Sequence, residues 1–206
     1  MVLPLYLAMT GAEICTITHP AYLMEDLSDL PPPGFLPVVT DRFPIDGQAL
    51  HRFCQGREAV VLDFERPPTP ALAAAVQGLP CPAAAPPGYS DRGPVFLPPP
   101  PLHVPLAQHL APWQGREIWL EAALQRQTIV VTASGAEISA PSPAGNLSGG
   151  FYDKHLHCRF TQEIRPDRAV FTLFDTPETL KEKLDHAAAL GVTRAVGLYQ
   201  ELCHHI

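Results

Sequence analysis

Several features that mark common protein classes are missing from this 206-residue sequence. Its 14 lysines and arginines form no block and are outnumbered by 21 acidic residues, which gives a formal net charge of -7. Nucleic acid and an anionic membrane surface are therefore poor candidates for a partner. The sequence also has no glycine-rich phosphate loop, no dinucleotide-binding fingerprint and no serine nucleophile elbow. We therefore expect no cofactor.

The beginning of the sequence has no basic leading region. The run MVLPLYLAMT is apolar, but it is interrupted by Pro4 and is too short for a signal peptide or a membrane span. We interpret it as a first strand and expect a cytoplasmic protein. Cysteine is also scarce: no Cys-x-x-Cys pair occurs, and the five residues are Cys15, Cys54, Cys81, Cys158 and Cys203. Such spacing favours free thiols in a reducing compartment.

Proline is abundant instead, with 25 residues in the chain. The prolines concentrate between apolar runs, at 31–33, 67–70, 80–87 and 98–101. This distribution is typical of stiff connectors and not of a disordered tail. With 46% hydrophobic residues, the chain can bury one substantial core. We expect one domain, spanning residues 1–206.

Strand-like and helix-like runs alternate along the sequence. The eight strand candidates are Leu3–Thr10, Phe35–Thr40, Ala59–Glu65, Cys81–Pro86, Pro94–Pro98, Glu117–Leu124, Ala169–Phe174 and Ala195–Leu202. The helix candidates are Asp46–Gln55, Thr69–Val76, Pro105–Trp113 and Thr176–Leu190. Alternation of this kind predicts a parallel α/β sheet.

One segment interrupts the alternation. Gln127–Ile138 reads as two short strands around Ser134 and Gly135, and Leu156–Ile164 looks like another extended piece. Eight parallel strands suggest a closed barrel, but the chain is shorter than the roughly 250 residues of a typical (β/α)8 barrel. The predicted fold is therefore a reduced TIM-type (β/α) barrel, with helices lost at the proline-rich connectors. A small antiparallel insertion, at about 127–164, precedes its last βα unit.

Two carboxylates follow the apolar run Ala59–Glu65. Because side chains alternate along a strand, Asp63 and Glu65 share the face of Val61, whereas Leu62 and Phe64 point the other way. Acidic residues at the carboxyl end of a parallel strand lie where α/β proteins place their chemistry. The structural alternative is a salt bridge, for which the candidate partners are Arg66, Arg42 and Arg194.

Further candidate ligand-binding residues lie near the ends of other predicted strands. Glu121 and Glu201 could reach the same barrel mouth, and Asp41 follows the strand that ends at Thr40. The alternative for Asp41 is a solvated cap at the start of a loop. For Trp119, a place in the core is favoured over a role as a platform for a ligand ring.

Three stretches together resemble the chitinase-like glycoside hydrolases of family 18. The fourth strand of that family carries Asp-x-Asp-x-Glu, in which Glu is the general acid. Val61-Leu-Asp-Phe-Glu65 keeps the second Asp and the Glu but has Val61 in place of the first Asp. The stretch 169–184 looks like the family's connection between strands seven and eight, and 191–199 is similar to its closing strand.

The resemblance implies a barrel that hydrolyses N-acetylated sugars. Glu65 would be the general acid, Asp63 would orient the acetamido group, and Tyr199 would form a stacking floor for a sugar ring. The sequence departs from the family at the sixth strand, where Val95–Pro101 lacks the usual tyrosine. The alternative is a catalytically silent barrel that binds a carbohydrate or a protein partner through the same mouth. In both cases we expect no nucleic acid or membrane partner.

A metal site is a further alternative. His155 and His157 would share one strand face beside Cys158, and the chain closes with Cys203-His204-His205. This spacing fits no standard ligand pattern, and terminal residues are often frayed. We therefore expect no metal site.

Overall fold

The computed structural model describes residues 2–10 and 17–203. In this part of the chain, eight parallel strands form one sheet, whose neighbours follow chain order. They are β1 (Leu5–Met9), β2 (Pro20–Leu23), β3 (Leu36–Thr40), β4 (Val60–Asp63), β5 (Ala83–Ala84), β6 (Val95–Leu97), β7 (Ile118–Ala122) and β14 (Val192–Leu198). The bridge between Ala85 and Val95 joins β5 to β6, where the Phe96 N–H donates to the Ala85 carbonyl at 2.8 Å. This seam closes the sheet into a (β/α) barrel.

The helices begin where the sequence places capping residues. They are α1 (Gly47–Cys54), α2 (Pro70–Gln77), α3 (Leu106–Leu110) with a 3-10 turn (Ala111–Trp113), α4 (Pro177–Ala189) and α5 (Tyr199–Leu202). The side chains of Asp46, Thr69 and Thr176 accept hydrogen bonds from the first turns of α1, α2 and α4. Gly191 follows α4 with φ of +93°, a conformation that glycine adopts without strain. The four predicted helices are confirmed.

The barrel is reduced as predicted. The connections 24–35 after β2 and 85–94 after β5 contain no helix. Both include prolines, which lack the N–H that a helix interior requires.

An antiparallel sheet lies between β7 and α4. It contains β8 (Gln125–Thr132), β9 (Gly135–Ile138), β10 (Ser142–Pro143), β11 (Phe151–Asp153), β12 (Cys158–Ile164) and β13 (Arg168–Phe174). The predicted insertion is thus present before the last βα unit. The assignment of Ala169–Phe174 to the parallel series was wrong, because β13 pairs antiparallel with both β12 and β8. The eighth barrel strand is instead β2, which the sequence reading missed.

The two faces of the parallel strands pack in different buried clusters. Inward-facing side chains form one buried cluster that includes Val38, Val61, Phe96 and Trp119. The outward face of β4 packs in a second cluster against α1 and α2. No helix in the described part of the chain is long and apolar enough to cross a membrane.

Candidate functional site

A cavity of about 600 Å³ opens at the carboxyl ends of the barrel strands, and we call it the mouth cavity. Its volume lies within the range of about 300–1,000 Å³ that is usual for small-molecule sites. Its polar and charged lining residues are Thr10, Thr40, Arg42, Asp63, Glu65, Glu121 and Gln200. Its apolar wall includes Met9, Leu23, Phe96, Leu198 and three prolines, Pro86, Pro87 and Pro98.

The alternation of β4 places two predicted carboxylates in the mouth cavity. Asp63 is half-buried and lies on the inward face of β4, two positions after the fully buried Val61, while Glu65 is exposed at the rim. Leu62 and Phe64 are buried in the cluster that contains residues of α1 and α2. The predicted orientation of these four side chains is therefore confirmed.

The salt bridge that was the structural alternative for Asp63 and Glu65 does not form among the described residues. Neither Asp63 nor Glu65 forms an ion pair with an arginine in that part of the chain. Arg42 lines the mouth cavity and acts on Asp63 at longer range. Burial raises the pKa of Asp63, the negative charge of Glu65 raises it further, and Arg42 opposes both.

A third predicted carboxyl, Glu121, lines the same cavity from β7. Burial raises the pKa of Glu121 to about 7, with further contributions from the negative charges of Asp63, Glu201 and Glu65. Glu201 is exposed on α5 and does not line the cavity, although its charge acts on Glu121. Of the five predicted carboxyls, Asp63, Glu65 and Glu201 thus act electrostatically on Glu121. Three of the five, Asp63, Glu65 and Glu121, line one cavity.

Asp41 lies outside the mouth cavity. Its side chain is 7% exposed, and its carboxylate accepts hydrogen bonds from the backbone N–H groups of Glu65 at 3.2 Å and Arg66 at 2.8 Å. The Tyr89 hydroxyl donates to the Arg66 carbonyl at 2.8 Å. Asp41 therefore holds the chain that carries Glu65 and does not present its carboxylate to a ligand in the cavity.

The two aromatic candidates also lie outside the cavity. Trp119 is 1% exposed in the barrel interior, where its indole N–H donates to Glu117 and the Arg194 guanidinium lies 4.4 Å from its ring centre. Its buried ring offers no open face to a sugar. Tyr199 is half-buried as the first residue of α5, and the cavity wall beside it is formed by Leu198 and Gln200.

Some lining residues were not predicted as ligand-binding. Thr40 could have been found, because it follows Val38 by two positions and must share the inward face of β3. Gln200 could not, because its position depends on where β14 gives way to α5. Arg42 follows β3 within a loop, and sequence alone does not show which way it turns.

The described residues contain no group of three or more His, Cys, Asp or Glu side chains arranged to hold a metal ion. The ring of His157 lies 4.8 Å from that of His186, and Cys158 is buried. His204 and His205, like Cys15, lie outside the described residues.

No protein-family model and no curated protein matches this chain. Among solved structures, the spore cortex-lytic enzyme SleL of Bacillus cereus is similar, with a TM-score of 0.48 and 11% sequence identity. The SleL enzyme of Bacillus megaterium QM B1551 is also similar, with a TM-score of 0.46 and 14% identity. Each comparison covers 95% of this chain and 70% of the other. At these values the likeness says nothing about the chemistry of the mouth cavity.

Proposed function

We propose that this protein is a glycoside hydrolase that acts on N-acetylated sugars in the mouth cavity. The observation that supports the proposal is the position of Asp63 and Glu65, which line an open cavity at the carboxyl end of the barrel without an arginine partner among the described residues. Two carboxyls on one strand face are costly to keep together unless they are used or paired.

In this proposal, Glu65 protonates the leaving-group oxygen and Asp63 orients the acetamido group of the substrate. Substrate-assisted glycosidases use the acetamido oxygen of the sugar where other glycosidases use a second carboxylate. Glu65 is exposed at the rim, where an incoming glycosidic oxygen can approach it. Asp63 lies deeper, where its raised pKa reflects burial and the neighbouring carboxylate.

A second candidate function is sugar binding without hydrolysis. The residue at the position of the family's first Asp is Val61, which is 0% exposed within the barrel core. The sixth strand contributes Phe96 to the cavity where the family has a tyrosine. Both substitutions remove groups that would assist the acid, so they favour a barrel that retains a ligand site but has lost turnover.

Hydrolysis of an aryl N-acetylglucosaminide oligomer, measured beside binding of the unmodified oligomer, tests both candidates. We expect Glu65→Gln to lower kcat by about 10² to 10⁴ while binding persists, because general acid assistance contributes about that much to rate. Glu58→Gln is the matched control, since Glu58 is exposed at the opposite end of β4. Binding without turnover in the wild-type protein would select the silent barrel. Turnover that survives Glu65→Gln would remove Glu65 from the mechanism.

A further inference from the structure

Among the described residues, one side of the mouth cavity contains a single polar side chain. From β5 to β7 the lining consists of Pro86, Pro87, Phe96, Pro98 and Glu121. Proline has no backbone N–H, and phenylalanine has no hydrogen-bonding group. Any side-chain hydrogen bond between a ligand and this side must therefore involve Glu121.

The surroundings of Glu121 are acidic. The charges that act on it are those of Asp63 at the end of β4, Glu65 two residues beyond that strand, and Glu201 on α5. On the neighbouring strand β14, Arg194 stacks on Trp119 in the barrel interior. On the other neighbour, β6, the residues Val95–Leu97 carry no titratable group. Arg42, across the cavity, acts on Asp63.

Glu121 forms no hydrogen bond or ion pair with another side chain of the described residues. A half-buried carboxyl that faces like charges, with no ion-pair partner in the described part of the chain, retains its proton more strongly than a solvated one. The pKa of about 7, caused first by burial and then by Asp63, agrees with this expectation. A protonated carboxyl carries an O–H donor, whereas an ionised carboxylate is an acceptor only.

We propose that Glu121 binds the ligand of the mouth cavity as a hydrogen-bond donor to a sugar oxygen, from the side opposite Asp63 and Glu65. This inference rests on the proposed function, since it takes the ligand to be a sugar. It assigns Glu121 a binding role that is separate from acid catalysis by Glu65. Because the donor exists only while Glu121 holds its proton, binding is favoured below the pKa of Glu121 and weakens as pH rises through about 7.

Calorimetric binding of N,N′,N″-triacetylchitotriose at pH 5.5, 7.0 and 8.5 tests the inference. We expect the wild-type Kd to rise about tenfold across this range, since one hydrogen bond contributes on that order. Glu121→Gln keeps an N–H donor but cannot titrate, so its Kd should stay near the wild-type value at pH 5.5 and remain constant. Glu121→Ala removes the donor and should bind about tenfold more weakly at pH 5.5.

Two further variants test whether the pH dependence of binding comes from Glu121. Glu137→Gln is the matched control, because Glu137 is exposed on β9 and does not line the cavity. Glu201→Gln removes one of the charges that raise the pKa of Glu121, so it should move the midpoint of the wild-type curve to lower pH. A midpoint near pH 7 that persists in Glu121→Gln, or a wild-type Kd independent of pH, would overturn the inference alone. Absence of sugar binding by the wild-type protein at every pH would overturn the proposed function as well.

Discussion

At the scale of single residues, the position of Glu65 depends on side chains that lie outside the mouth cavity. The Asp41 carboxylate accepts hydrogen bonds from two consecutive backbone N–H groups, those of Glu65 and Arg66. Tyr89 donates to the carbonyl of Arg66, and its ring packs edge-on against Phe64. These contacts fix the chain where it leaves β4, so they also fix the rim of the mouth cavity.

We predict that Asp41→Ala lowers the free energy of unfolding by about 1–3 kcal/mol, because it leaves two backbone N–H groups without their acceptor. It should also weaken any activity that depends on Glu65. Asp41→Asn, which keeps an acceptor oxygen, should have a smaller effect on both. Urea denaturation beside the hydrolysis and binding assays measures these changes. Asp91→Ala, at an exposed position, is the control, and an equal loss of stability in that variant would contradict the prediction.

Some residues of the candidate site could be predicted from the sequence. Asp63, Glu65 and Glu121 follow from the two-residue period of a strand, because each lies at or just beyond the end of a strand, on its inward face. Asp41 was predicted to line the mouth because it directly follows a strand. It comes one position after the inward-facing Thr40, however, and so it faces outward. Its partners are 24 and 25 residues away, and the pattern of one strand does not reveal such long-range hydrogen bonds.

At the scale of elements, a buried ion pair fastens the antiparallel sheet to α4. Lys183 Nζ lies 2.6 Å from Asp175 Oδ1, and the two side chains are 6% and 1% exposed. Asp175 also accepts a hydrogen bond from the Gln125 backbone N–H, so it ties the start of β8 to the chain that follows β13. Burial raises the pKa of Asp175, while Lys183 acts in the opposite direction.

We predict that Lys183→Met destabilises the protein by about 3–5 kcal/mol, since it leaves a buried carboxylate without its cation. The double variant Lys183→Met, Asp175→Leu should recover much of the loss, because no charge then remains buried. Chemical denaturation of the three proteins measures both effects. Lys181→Met, at an exposed position of the same helix, is the control. A loss below about 1 kcal/mol in Lys183→Met would show that water or another group compensates the carboxylate.

Two strands of the structure could not be assigned correctly from the sequence alone. The run at Ala169–Phe174 is apolar and aromatic, and such a run suits a parallel barrel strand and a central antiparallel strand equally well. Its partners, β8 and β12, are defined by tertiary pairing and not by its own residues. Pro20–Leu23 is only four residues long and begins with proline, so it carries little periodicity. The helices were easier to predict because local residues mark where they begin and end. For α4 these residues are Thr176, Pro177 and Gly191.

At the scale of the whole molecule, the cysteines of the described residues are free thiols. Cys54, Cys81 and Cys158 are buried and free, and Cys203 is half-buried and free. Interaction with the neighbouring Cys81 thiol, together with burial, raises the pKa of Cys54. The protein therefore holds two thiols within reach of each other and keeps them away from solvent.

We predict that all five thiols react with a thiol reagent when the native protein is denatured without a reductant, because their spacing in the sequence is typical of reduced cysteines. A reduced sample provides the control count. Cys54→Ser should lower the count by one. A wild-type count of three that becomes four in Cys54→Ser would instead reveal a disulfide between Cys54 and Cys81, and would contradict the expectation of a reducing compartment.

The seam between β5 and β6 makes one part of the barrel wall weaker than the rest. β1 and β14 pair over four residues, whereas β5 and β6 meet at a single bridge. Only a few hydrogen bonds must break there, so the amide proton of Phe96 should exchange with solvent through local opening while the remaining barrel stays folded. Pro86 and Pro98 of the mouth cavity lie just beyond these strands. Each such opening would widen the cavity on that side, and an extended ligand would gain an entrance through the wall as well as through the end of the barrel.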